Sequence, residues 1–249
     1  MFRRTVDGQV LDFGTTGLLR FSNLVMYDRQ TESWWQEFNG EAVVGELTGK
    51  KLEFMPLSIV SWMEFKTTFP KGKVLSRDTG HRRPYGENPY IFYDSSGDPF
   101  LYEGSADRRL PALERVLAVE VGKESLAIPY TLLQKEPVIH YNLAGQEMVV
   151  FFKQGTASAL DRGLIAEGRD VGSAAAFDPH VDGKKLTFRS VEDHFIDEQT
   201  GSLWNLLGKA EAGPLTGKEL KPQVYRAAQF WFSWVVFRPD TIIYKGKAN

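Results

Sequence analysis

The sequence predicts a mainly β protein with short helices, an α+β chain made of two pseudo-repeated β-rich units, the first of them incomplete. Three observations carry that expectation. Blocks near the start recur near the end in the same order and spacing. Short runs alternate apolar and polar residues between Asp-Gly and Gly-rich turns, as half-covered strands do. The composition, 42% hydrophobic and 25% charged with abundant aromatic residues, is that of a folded globule rather than a disordered chain.

The matching blocks set the elements in order. Phe2, Val6-Asp7-Gly8, Leu11 and Phe13 correspond to Phe177, Val181-Asp182-Gly183, Leu186 and Phe188. Asp-Gly suits the positive φ of a tight hairpin turn, and the alternating Leu and Phe begin a short strand. Asp28-x-Gln30-Thr31-x-Ser33-x-Trp35 then corresponds to Asp197-x-Gln199-Thr200-x-Ser202-x-Trp204. Small polar residues in that pattern brace a turn through side-chain-to-backbone hydrogen bonds, and the Trp anchors it. An acid-and-nucleophile reading of Asp28/Asp197, Thr31/Thr200 and Ser33/Ser202 is the alternative. After one deletion, Gly45-x-Leu47-Thr48-Gly49-Lys50-x-Leu52 corresponds to Gly213-x-Leu215-Thr216-Gly217-Lys218-x-Leu220, a Gly-rich strand and turn. Trp62-x-x-Phe65 and Trp231-x-x-Trp234 put both rings on one face of a helical turn, expected to cover a sheet face. Pro70 and Pro239 stop those turns, and Val74-Leu75 or Ile243-Tyr244 begin a last strand.

The second copy has more in front of it. Arg115–Val121 reads as an alternating strand, Pro129–Gln134 as a helical turn, and Met148–Phe152 as a buried strand leading into the loop 154–161. The first copy has no counterpart of these. The expected organisation is a first copy over 1–75 lacking its opening segment, an ordered connecting loop over 76–113, and a second copy over 114–249. A sheet without its opening strands exposes unpaired backbone groups. The expectation is therefore an N-terminally shortened coding sequence, or another chain that fills the gap, with self-association through the first copy.

Composition narrows the function classes. Thirty Lys and Arg against 32 Asp and Glu leave a net charge of −2, so no field points to nucleic acid. The absence of cysteine removes disulfides, Cys-ligated metals and a thiol nucleophile from this chain. No apolar run reaches the ~20 residues of a membrane span. Met1-Phe2-Arg3-Arg4 leads directly into polar residues, which makes the chain as it stands cytoplasmic, or exported if a complete gene carries a signal peptide.

Several stretches resemble a prokaryotic family known as the domain of unknown function 3179. They are Val6-Asp7-Gly8-Gln9-Val10-Leu11-Asp12-Phe13-Gly14, the run from Gly17 to Thr31, Leu75-Ser76-Arg77-Asp78-Thr79-Gly80, Gly168-Arg169-Asp170-Val171-Gly172-Ser173 and Thr200-Gly201-Ser202-Leu203-Trp204-Asn205. The resemblance covers nearly the whole chain. It implies a Cys-Pro-Leu motif, sometimes with a second Cys or selenocysteine, just upstream of the residue aligned with Phe2. That motif hints at thiol or selenol redox chemistry or metal binding, and many members look exported. Here it is missing, and the equivalent loop of the second copy, Gly155–Leu160, has no sulfur.

The candidate chemistry is accordingly sparse. Asp178-x-His180-x-Asp182 places three potential ligands on one strand face, but the first copy has Arg3, Thr5 and Asp7 there, so no metal or other cofactor is predicted. Ser76–Tyr85 is a loop whose Arg77, Asp78 and Arg83 either pair locally in solvent or grip an anion through a guanidinium fork. The loop residues Arg169, Asp170 and Ser173, with Thr156, Ser158 and Asp161, stand where the family motif would sit in the other copy. Neither serine has a histidine at fixed spacing, and His81, His140, His180 and His194 show no zinc spacing. The leading expectation is a non-catalytic or incomplete binding module for a small polar or anionic ligand. Arg77, Arg83, Arg169 and Asp170 would contact it in a cleft between the copies. The alternatives are a redox or metal-dependent enzyme whose Cys-Pro-Leu motif lies in a missing segment, and an interaction protein that pairs through an exposed sheet edge.

Overall fold

The computed structural model describes residues 1–105 and 107–246. Its elements run β1 (Thr5–Val6), β2 (Gln9–Val10), β3 (Phe13–Arg20), β4 (Asn23–Asp28), β5 (Trp34–Gln36), β6 (Glu41–Val44) and α1 (Trp62–Thr68). A long stretch with a 3-10 turn at Tyr93–Ser95 follows. Then come β7 (Arg115–Val121), β8 (Glu124–Pro129), α2 (Tyr130–Leu133), β9 (Val138–Leu143) and β10 (Gln146–Lys153). The remainder is β11 (Ser173–Phe177), β12 (His180–Val181), β13 (Lys184–Lys185), β14 (Phe188–Val191), β15 (His194–Asp197), β16 (Leu203–Trp204), β17 (Ala210–Ala212), β18 (Tyr225–Phe230), α3 (Trp231–Val235) and β19 (Ile242–Ile243). The protein is mainly β, with short helices.

Two small antiparallel sheets have the same form. One runs β3-β4-β5-β6 and the other β14-β15-β16-β17, each preceded by a two-stranded hairpin, β1-β2 or β12-β13. The hairpin turns hold Asp7 at φ 48 and Gly8 at φ 83, and Asp182 at φ 49 and Gly183 at φ 76. Two successive positive φ angles are what a two-residue turn needs to follow the twist of its strands. In each four-stranded sheet a buried Asp ties the turn to a Trp. The Asp28 carboxylate accepts from the Thr31 amide at 2.6 Å and from the Trp35 indole at 2.9 Å, and Asp197 accepts from Thr200 and Trp204 at the same distances. Burial pushes the Asp28 carboxyl up, but these hydrogen bonds outweigh it and hold it below the usual carboxylate range. These groups serve as braces.

The larger core surrounds Phe151 of β10, which stacks on Phe195 at 4.1 Å and meets Phe188 edge-on at 5.1 Å. A smaller cluster under the first sheet holds Val6, Leu11, Trp35, Ala42 and Leu52. A further sheet runs β18-β7-β8-β19. Its strand β7, expected to alternate, is buried on both faces from Val116 to Val119. Leu117 and Val119 join the larger core, whereas Val116 and Ala118 pack with Phe38, Trp231 and Trp234. A strand with a core on either side has no solvent face to alternate.

Two expected elements differ. Residues Val74 and Leu75 form no strand, and Leu75 is 98% exposed. Ile242 and Ile243 run parallel to Leu126 and Ala127 of β8, and no such partner edge is offered to residues 74 and 75. Nor is α1 packed into a core: none of its residues is buried and Trp62 is 59% exposed, whereas Trp231 and Trp234 of α3 are fully buried with Val116 and Ala118 of β7 and Ala127 of β8. Among the described residues no helix is long and apolar enough to cross a membrane.

Candidate functional site

A cluster of charged side chains forms where the connecting stretch folds back on the loop after β10. The chain from Glu87 to Phe92 lies along residues 161–165. Asn88 N–H donates to the Gly163 carbonyl and Phe92 N–H to the Asp161 carbonyl, both at 2.8 Å. This places the Tyr93–Ser95 turn, and with it the carboxylate of Asp94, against the first residue of β7. The Asp94 side chain is 0% exposed. It accepts from the Arg115 guanidinium and the Ser158 hydroxyl on one oxygen, and from Arg169 at 2.8 Å on the other. Arg169 also donates to the Asp94 carbonyl at 3.0 Å and to the Asp161 carboxylate at 3.2 Å, and Asp161 accepts from the Arg169 amide at 2.8 Å. The Arg115 guanidinium lies 5.1 Å from the centre of the Phe230 ring.

The electrostatics follow from that geometry. Burial pushes the Asp94 carboxyl up, yet hydrogen bonds from Ser158 and Arg115, the Arg115 charge and Arg169 together hold it below the usual carboxylate range. Asp94 is therefore a fixed anion clamped by two guanidinium groups. Beside it opens a cleft of about 180 Å³ lined by Arg115, Tyr130, Thr131, Gln134, Arg169 and Asp170 among others. The Tyr130 hydroxyl accepts from the Ala228 amide at 3.0 Å, and burial raises its pKa, so it stays neutral.

The structure sorts the predicted site residues into three groups. Ser158, Asp161 and Arg169 come together in the cluster. Asp170 and Ser173 stand next to it as braces. The Asp170 carboxylate accepts from the amides of Gly155, Thr156 and Gly172 at 2.8–3.0 Å, and the Ser173 and Thr156 hydroxyls are 2.7 Å apart. Arg77, Asp78 and Arg83 lie on an exposed loop and share no hydrogen bond or ion pair with the cluster. The cleft is lined wholly by residues from 113 to 171 and by none of residues 1–75, whereas the expectation was a cleft between the two copies.

Sequence reasoning missed Asp94 and Arg115. Arg115 carried a signal, since a cation opening the otherwise apolar run Val116–Val119 needs a partner once that run is buried. Asp94 had none, because its partners are 21 and 75 residues away in sequence. The Asp178-x-His180-x-Asp182 set is divided: Asp178 and His180 bond to each other at 2.7 Å, while Asp182 pairs with Lys218 at 2.8 Å. Among the described residues no group of three His, Cys, Asp or Glu side chains is arranged to hold a metal ion.

A family model described as "Protein of unknown function (DUF3179)" matches residues 1–241, and the chain belongs to that family. No curated protein and no solved structure matches it.

Proposed function

We propose that this chain is a binding module that takes a small polar or anionic ligand in the cleft beside Arg115 and Arg169, without itself carrying out a reaction. The observation that supports this reading is the state of Arg169. Its guanidinium is oriented by Asp94 and Asp161, yet its side chain stays 41% exposed where it lines the cleft. A guanidinium fixed in this way recognises planar oxygen pairs with little loss of rotamer freedom. Thr131 and Gln134 add neutral donors and acceptors to its lining. Titration with acetate and with sulfate, followed by amide chemical shifts, tests the reading. Shifts should centre on residues 113–115, 131–134 and 169–171, be lost in Arg169→Gln and survive in Arg77→Gln. Shifts that ignore Arg169→Gln would refute it.

A second reading, pairing of two chains along β3, is favoured by one contrast. The edge strand β14 is met by β9, where the Phe188 amide donates to His140 Nε2 at 3.0 Å, whereas β3 is an edge strand with Leu18 and Leu19 half exposed. Light scattering decides between a monomer and the dimer this reading requires.

A further inference from the structure

We infer that Arg226 and the aromatic rings around it form a second binding site, one for a small organic monoanion that carries its carboxylate on an apolar body. Arg226 projects from β18 toward the segment that follows β5. Its guanidinium lies 4.8 Å from the centre of the Phe38 ring, 4.7 Å from that of Phe54 and 5.9 Å from that of Phe2. One N–H donates to the Phe38 carbonyl. A guanidinium has five N–H groups, and among the described residues the others have no protein acceptor and no carboxylate pairs with this side chain. Glu120, whose charge it feels, is already bonded to Arg238. Burial pushes the Arg226 guanidinium pKa down.

The plain alternative is that Arg226 only pins two parts of the fold together through its rings and one carbonyl. Three features exceed that role. A cation taken out of water without a directly paired anion is costly, and the more distant charges of Glu120 and Glu37 and the cation–π contacts offset only part of that cost. The strand departs from regular pairing here: the register shifts between Arg226 and Gln229, and Ala228 is held at φ 55. Bulges of this kind re-aim side chains. A cavity of about 130 Å³ remains open against the guanidinium, lined otherwise by Phe2, Phe38, Phe54, Leu57 and Ile59 among others. An apolar cavity of roughly 150 Å³ accommodates a benzene ring. Glu37 stands exposed at the rim, so a dianion such as hydrogen phosphate meets about twice the repulsion that a monocarboxylate meets.

Calorimetric titration of the full chain with benzoate tests the site, with benzyl alcohol and inorganic phosphate as controls. One benzoate should bind per chain, and both controls should bind roughly tenfold to a hundredfold more weakly, the range for losing a charge-assisted hydrogen bond. Arg226→Gln should reduce benzoate affinity by the same factor. Leu57→Trp, a change at a partly exposed wall position, should block binding with the charge retained. It keeps the test valid if Arg226→Gln fails to fold, as does a nuclear Overhauser contact between the benzoate ring and the Ile59 methyls. No benzoate binding, benzyl alcohol or phosphate binding as tightly as benzoate, or affinity untouched by Leu57→Trp would overturn the proposal. So would affinity that depends on Arg169 instead, since benzoate would then occupy the other cleft.

Discussion

Replacing Asp94 with alanine isolates the physics of the charged cluster. The carboxylate is fully buried and Arg115 is only 11% exposed, so the variant leaves one guanidinium nearly out of water without its counter-charge. Breaking such a buried pair from one side costs about 3–5 kcal/mol. The Arg169 contact adds little, because that side chain is largely solvated and exposed pairs contribute about 0–1 kcal/mol. The Ser158 hydroxyl loses one acceptor, about 1 kcal/mol at most. These losses share partners and do not add in full, so a total of about 3–5 kcal/mol is expected. For a chain of this size that corresponds to roughly 10 °C in Tm, read by calorimetry alongside a urea titration. Asp78→Ala, on the exposed loop, is the control and should stay within about 0.5 kcal/mol. The double change Asp94→Leu, Arg115→Met should recover much of the loss, since apolar replacement of a buried ion pair is often neutral and Arg169 keeps Asp161 and solvent. An Asp94→Ala variant within about 1 kcal/mol of the parent would refute the reasoning, as it would mean that Arg115 turns to solvent without penalty.

Other outcomes follow from the same structure. Because the Asp94 pKa is held down in the folded state, its contribution is complete above the unfolded value of about 3.9 and lost as pH falls through the lower folded value. Asp94→Asn should therefore flatten the acid limb of a stability profile measured by urea titration, leaving the neutral region without a new slope. Trp231→Ala should cost about 3–5 kcal/mol, whereas Trp62→Ala on the exposed α1 should stay within about 0.5 kcal/mol; equal losses in thermal melts would contradict the difference in burial. Gly208 has φ +74, and a Cβ there would sit 2.7 Å from the Phe177 ring, so Gly208→Ala should lose about 2–4 kcal/mol by chemical denaturation. Gly217, at φ +86 with open space around it, should lose only about 1 kcal/mol on the same change.

What could be read from the sequence was local. Asp7-Gly8 and Asp182-Gly183 announce their turns because few residue pairs tolerate two positive φ values in succession. The Asp-Thr-Ser-Trp braces were legible because the bonds that tie each Asp to its Thr and Trp span at most seven residues. The role of α1 was not legible, because its pattern of rings is that of α3 and only the presence or absence of a core underneath separates them. The same holds for Val74-Leu75, whose composition suits a strand that has nothing to pair with. Of the site, Arg169, Ser158 and Asp161 were found on their loop, but Asp94 and Arg115 join them only through long-range contacts. Arg77 and Arg83 were singled out for charge density, which on an exposed loop measures solvation as readily as recognition.

The strands β7 and β8 lie at the middle of the chain, but the strands that flank them, β18 and β19, are supplied by residues 225–243. During synthesis the central hairpin therefore waits, both borders bare, until residues 225–243, about a hundred positions further on, have also left the ribosome. A chain halted at residue 224 would present two unsatisfied backbone edges on an apolar ribbon, an aggregation template by construction. This delayed closure makes residues 225–243 the fastener of the hairpin, and a cut there should be felt a hundred residues away.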